Sequence, residues 1–387
     1  MGAVYSPLIP DDVIERIRSR AAGYDRDNAF PHEDLADLTE LGYLRLFAST
    51  ARGGLGLGLY DVAREQRRLA AAAPATALAI NMHLVWTGVA KTLLDRGDES
   101  LAFVLDEAAA GEIFAFGNSE AGNDLVLLDS RTRADGHSDG SYSFTGRKIF
   151  TSLSPVWTRL GVFGRDDSSA DAPQLVHAFI DRAADGYRIE DDWDTLGMRA
   201  TQSHTTILEG VTAPADRVFR RIAPGPSADP LVFAIFANFE ILVASVYAGI
   251  ADRALELAVE AAHRRTSLKS GGRPYASDPD IRRRVAEAGI ALDALEPQID
   301  RMARDVDGVV DHGARWFAKL VGLKVRATET ARVVVDQAIR VTGGSAMSNS
   351  SELGRLYRDV LAGMFHPSDD ESAHSTVANS LLGPVAQ

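Results

Sequence analysis

The segment AIFANFEILVASVYAG carries one charge, Glu240, near the middle of an apolar run from Pro230 to Ala251. On a helix its neighbours at three, four and seven residues are Phe236, Ala237, Val243, Ala244 and Tyr247, so the carboxylate shares the most apolar face. Burial there disfavours the charged form and raises the pKa, which suits a base working near neutral pH. The position equally suits a structural carboxylate that accepts a hydrogen bond from a tyrosine or arginine. A carboxylate is costly in lipid and in a protein core alike, so it needs a partner or a purpose.

Other chemistries find less support. None of the nine histidines is paired at three- or four-residue spacing on a predicted helix, so no zinc ligand set emerges. His366 and His374 flank the acidic run HPSDDESAH, which also reads as a loop and helix start with Asp369 and Asp370 at the favourable end of the helix dipole. No metal is expected. The chain lacks cysteine, which excludes disulfides, thiolate metal sites and cysteine nucleophiles. It has no G-x-S-x-G elbow to expose a serine. The glycine run RGGLGLGLYD, Arg52 to Asp61, lacks G-x-G-x-x-G spacing and follows no strand, and reads as a tight interhelix loop.

The elements that must position Glu240 come from 387 residues, enough for two to three domains. With 45% hydrophobic and 25% charged residues the chain can form a sizeable core, and a net charge of -13 argues against nucleic acid as a partner. The N-terminal residues carry early acids and no signal-type apolar core, and a cytoplasmic location is expected. Met1-Gly2 with Ser6 matches a short myristoylation pattern that is common by chance. Leu69 to Ala90 has no charge but contains Pro74, Asn81 and His83, and reads as a buried helix pair; no membrane span is expected.

Helical periodicity runs through DDVIERIRSRAAG, HEDLADLTELGYLRLF and LYDVAREQRRLAAAA, with start signals at Asp11 and Pro31. From about Phe114 the pattern becomes alternating, in SRTRADG, SYSFTGRKIFTS, RLGVFGRD, QLVHAFIDRA and HTTILEGV. RRIAPGPSADP reads as a connector, and helical runs return over 231–265, 280–307 and 313–341, with a last helix after Pro367. The expected fold is α+β and multidomain: an N-terminal all-helical domain (1–113), a middle β-sheet or barrel domain (114–229) and a C-terminal four-helix bundle (230–387). Strands and helices do not alternate, which argues against a doubly wound nucleotide-binding fold.

These residues carry a resemblance to the acyl-CoA dehydrogenase family across nearly the whole chain. FGNSEAGND is similar to the family's T-E-P-x-A-G-S-D segment, two residues shorter, and GRKIFTS resembles G-x-K-x-W-I-T. LGMRATQSHTTILEGVTAPADRVF resembles the L-G-x-R-x-S segment with its following strand, and RVTGG with LYRD resembles Q-x-x-G-G followed by R-D. The resemblance implies FAD between the strand domain and the bundle. Phe116, Gly117, Ser119 and Asn123, with Phe150 and Ser152, would line it. Arg264 and Thr266, which match R-x-T-F-G, would hold the dinucleotide of a neighbouring subunit in a dimer or tetramer, with Arg340 and Gly344 contributing from RVTGG. FEILV aligns with the motif in which one branch of the family carries its base, which implies Glu240. The implied reaction is α,β-dehydrogenation of an acyl-CoA or acyl-carrier thioester, by loss of the α-proton to Glu240 and of a β-hydride to flavin N5. An electron-accepting flavoprotein would be the redox partner, and lipid metabolism the setting.

Three departures point elsewhere. Pro367 occupies the position of the other branch's glutamate and has no N–H to offer a thioester carbonyl, so Ser368 N–H must substitute or the substrate must sit differently. Ile241 replaces an arginine, and Ser267 replaces a phenylalanine. These changes, with the longer loop LKSGGRPYASDP, resemble the flavin-dependent monooxygenases built on the same fold, such as dibenzothiophene and amino-sugar N-oxygenases, which use reduced flavin and oxygen. A non-catalytic helical scaffold or thioester-binding protein is a third expectation, distinguished by failure to take up flavin.

Overall fold

A computed structural model describes residues 7–383, so the Met1–Ser6 pattern lies outside the described residues. Five helices come first: α1 (Asp11–Asp27), α2 (His32–Glu40), α3 (Leu59–Ala72), α4 (Pro74–Leu94) and α5 (Ala102–Ala109). The start signals at Asp11 and Pro31 stand at the first residue of α1 and just before α2. Pro74, whose missing N–H costs nothing in a first turn, separates α3 from α4. The glycine-rich run is the turn-rich connection into α3.

Eight strands follow: β1 (Phe114–Gly117), β2 (Arg133–Gly136), β3 (Tyr142–Lys148), β4 (Arg159–Asp166), β5 (Gln174–Asp181), β6 (Tyr187–Ile189), β7 (Thr206–Ala213) and β8 (Val218–Ile222). Their order is β6-β7-β3-β2-β4-β5-β8, with β1 added in parallel to β4. β4 and β5 are buried along most of their length, because α4 covers one face: Trp86 packs against Phe179 and donates its indole N–H to Ala115 O. Gly161 of β4 makes this possible, since a Cβ there would stand 2.4 Å from the Trp86 ring.

The C-terminal region is helical: α6 (Pro230–Arg264), α7 (Pro279–Asp293), α8 (Leu295–Asp307), α9 (Arg315–Thr342), α10 (Glu352–Val360) and α11 (Asp370–Leu382), with a two-stranded ribbon of β9 (Thr266–Ser267) and β10 (Arg273–Pro274) after α6. α6 to α9 form a bundle around α6, which also packs on α3 and α4 and so ties the helical regions together. The run expected as one helix over 280–307 is two, broken at Ala294. α4 and α6 are long and apolar enough to cross a membrane by length and composition, yet 89% of each apolar window is buried inside the fold.

Where α6 meets α3 the backbones nearly touch: a Cβ on Gly249 would lie 2.2 Å from Arg67 O. A backbone carbonyl cannot rotate away as a side chain can, so Gly249→Ala must push the helices apart. We expect a loss of about 2–3 kcal/mol, read as a lower urea midpoint with an unchanged slope.

Candidate functional site

A partly open cavity of about 480 Å3 lies between the strand region and the bundle. β1 ends on one wall, α6 forms a second, and the 361–369 segment between α10 and α11 forms a third. Its lining is mainly apolar, with Met82, Phe116, Trp193, Phe236 and Phe239 prominent, and Phe116 and Phe239 stack at 6.0 Å between centroids.

Glu240 stands in the α6 wall, 1% exposed. Its Oε1 accepts from Ser368 N–H at 3.2 Å and from Ser368 Oγ at 3.0 Å, while Oε2 is buried without a hydrogen-bond partner. Burial pushes its pKa up to about 8, against the opposing pull of the Lys324 charge and the two Ser368 hydrogen bonds. His366, in the same segment, shares a 2.8 Å hydrogen bond between Nε2 and the Tyr247 hydroxyl. Burial and the nearby Lys324 charge push its pKa down to about 3, so the ring is neutral at physiological pH.

At the β1 end, Asn118 is 4% exposed and lines the cavity, and neither Nδ2 nor Oδ1 has a partner. A buried amide left open at both ends suits a bound group that presents a donor beside an acceptor. The pyrimidine edge of a flavin, an N–H between two carbonyls, is such a group, and the residues present fit it. The loop after Asn118 is fixed from beneath by Glu120, which lies 2.7 Å from Lys148 Nζ and also accepts from Ser130 Oγ, Arg131 N, Thr132 N, Thr132 Oγ1 and Asn123 Nδ2. Burial works against the Glu120 carboxylate, but the Lys148 charge and these hydrogen bonds outweigh it and hold the pKa down to about 2. On the β3 side, Ser152 Oγ pairs with Ser203 Oγ at 2.7 Å.

Of the site residues anticipated from sequence, the fold brings Phe116, Ser119, Asn123, Phe150, Ser152 and Glu240 to this one cavity. Gly117 faces β4 instead, where a Cβ would meet Leu160 at 2.8 Å. Arg264 lies apart, in a second groove of about 220 Å3 with Thr342, Ser345, Ser348, Ser350 and Ser351. Gly344 opens the short helical turn beside that groove, Thr266 sits in the exposed β9–β10 ribbon, and Arg340 is exposed and paired with Asp336. Asn118, Lys324, His366 and Ser368 carry site contacts that the sequence motifs did not single out in these roles. Among the described residues no group of three or more His, Asp or Glu side chains gathers to hold a metal ion.

Comparison with known proteins supplies two family matches. Residues 11–112 match the acyl-CoA dehydrogenase N-terminal domain, and residues 241–370 match an acyl-CoA dehydrogenase C-terminal domain. The chain is 30% identical to L-evernosamine nitrososynthase of a Micromonospora species, over 91% of this chain and 84% of that one. It is 27% identical to the putative acyl-CoA dehydrogenase YdbM of Bacillus subtilis, over 95% and 94%. The solved nitrososynthase from Micromonospora carbonacea var. africana superposes with a TM-score of 0.83 at 27% identity, covering 98% of each chain. Two domain matches, near-complete coverage and a shared helix, sheet and helix architecture lead to one statement: the chain belongs to the acyl-CoA dehydrogenase family.

Proposed function

We propose that this chain is a flavin-dependent oxidoreductase that oxygenates a largely apolar substrate, using dioxygen and flavin reduced by a separate electron donor. The observation that carries this reading is the commitment of Ser368 N–H to Glu240. Dehydrogenation of an acyl thioester needs donors aimed at the carbonyl so that the α-proton can leave. Pro367 has no N–H, and the next one along the chain is already spent on the carboxylate. Oxygenation makes no such demand.

A flavin bound in the cavity would supply two electrons to dioxygen, one oxygen atom entering the substrate and the other leaving as water. The chain's own residues do the rest. Asn118 would orient the ring edge, the aromatic walls would limit the access of water, and neutral His366, held by Tyr247, keeps that part of the cavity wall uncharged. The nitrososynthase relatives, similar over more than nine-tenths of this chain, support a member whose reaction is not thioester dehydrogenation. If the flavin is FAD, the groove at Arg264, with Gly344 beside it, would receive the second nucleotide from a neighbouring subunit, and the working unit would be at least a dimer.

The free Oε2 of Glu240 favours a second reading, α,β-dehydrogenation of an acyl thioester with Glu240 as base. One experiment separates the two. On the oxygenation reading, anaerobic mixing with a panel of acyl-CoA thioesters leaves the bound flavin unbleached, and oxygen uptake requires NADH with a flavin reductase. Bleaching by any thioester would overturn it. Glu240→Gln gives a second measure: an amide mimics the protonated acid and still accepts from Ser368, so oxygenation should stay within about tenfold of wild type, whereas loss of a base would cost about 10²–10⁴-fold in bleaching rate.

A further inference from the structure

Lys324 of α9 is a lysine 1% exposed, and its ammonium meets no carboxylate within ion-pair distance among the described residues. It donates instead to three backbone carbonyls, Gly363 O at 2.9 Å, His366 O at 2.8 Å and Ser368 O at 2.8 Å. All three lie in the segment that walls the cavity. Ser368 is thereby held from both sides: its carbonyl by Lys324, its N–H and hydroxyl by Glu240.

A buried ammonium is expensive, and three hydrogen bonds to neutral carbonyls satisfy its protons without cancelling its charge. A cheaper way to pin a loop is a neutral donor, so the charge itself asks for a use. We propose that Lys324 is the positioning residue of this site: it clamps the 363–368 segment against the cavity and serves, through Ser368, as the counter-charge that sets how readily Glu240 gives up its proton.

The other groups around Glu240 do not fill that role. Tyr247, on the same helix, is buried and un-ionised, and His366 is neutral. Asp369 caps α11 through Ser372 N–H, and its negative charge bears on Lys324, as do those of Glu329 and Asp370. Among the charged residues lining the cavity, Glu120 is engaged with Lys148, Arg358 with Asp25, and Asp124 is exposed at the surface. Among the described residues, Lys324 is the cation whose charge bears on the carboxylate.

The test concerns the same site as the proposed function but is read on cofactor-free protein, so its failure is separate from the failure of that reading. The infrared carbonyl band of protonated Glu240, identified by its loss in Glu240→Gln, is followed against pH. Removing a nearby positive charge disfavours the anion, so in Lys324→Met the midpoint should move up by one pH unit or more, and amide exchange over 363–368 should quicken at least tenfold. Lys324→Gln keeps donors but no charge; it should show the same upward midpoint with a smaller rise in exchange, and it carries the test if the methionine variant does not fold. A midpoint unchanged from wild type in a folded variant overturns the proposal.

Discussion

Lys148→Met is expected to cost about 3–5 kcal/mol of stability at neutral pH, because it strips the counter-charge from a carboxylate that cannot reach water. Glu120 and Lys148 have side chains 2% and 0% exposed, and the ammonium also donates to Phe163 O and lies over the Phe163 ring. Methionine fills a similar volume, so packing is largely conserved and the loss reports on charge. The pH dependence follows from the sign of the shift. Glu120 is held at about 2 in the folded protein, below an unfolded value of roughly 4.3, so its stabilisation is complete above the unfolded value and disappears as pH falls through the folded one. Without Lys148 the folded value must rise, and the penalty should therefore be largest near pH 7 and shrink towards pH 4. Urea midpoints of both proteins at several pH values check this, and a penalty independent of pH would refute the electrostatic account. Glu120→Gln in the Lys148→Met background should recover part of the loss, since a neutral amide no longer needs the cation.

Glu240 stood out because one charge in a long apolar run has few innocent explanations, and the helix around it formed as its periodicity requires. The three-region order was equally legible, because the period of the hydrophobic pattern changes near Phe114 and again near Pro230. Lys324 was not: a lysine in LKVRATET looks like any solvent-facing helix residue, and its three partners lie 39 to 44 residues away in sequence. Ser368 escaped for a related reason. Its N–H could be named as a substitute donor, but only the packing of α6 against the 361–369 segment shows that Glu240 already takes it. The short elements suffered too. β6 has three residues, too few for an alternation to register, and α10 follows a serine-rich turn in which only the Ser351 cap to Gly354 N–H announces a helix. The break at Ala294 carries no glycine; it falls where Pro297, which has no N–H to bond back to Asp293 O and whose ring crowds that carbonyl, can only stand in the first turn of a new helix, α8.

Asn118→Ala should move two measurements in opposite directions. In the cofactor-free protein the substitution removes two buried polar atoms that have no partner, whose desolvation is not recovered, so the protein should hold or gain up to about 1 kcal/mol of stability. Toward flavin the variant forfeits two hydrogen bonds, each worth about 0.5–1.5 kcal/mol, and should bind roughly 5- to 150-fold more weakly. An ordinary structural asparagine would do the reverse, lowering stability and leaving affinity nearly untouched. Asn118→Asp sharpens the point: it keeps the shape and an acceptor but loses the donor and adds a charge to an apolar wall, so it should bind flavin more weakly than the alanine variant. The position is also the one most directly governed by the buried pair beneath it, because Glu120 is two residues further along the same loop and gathers Asn123 and the 130–132 segment around itself. Loosening that anchor through Lys148→Met should therefore weaken flavin binding as well, and combining it with Asn118→Ala should cost less than the sum of the two, since an amide that is no longer held in place has less affinity left to lose. Additive losses would mean that Asn118 is positioned by β1 alone, and unchanged flavin affinity in Asn118→Ala would remove this amide from the cofactor site.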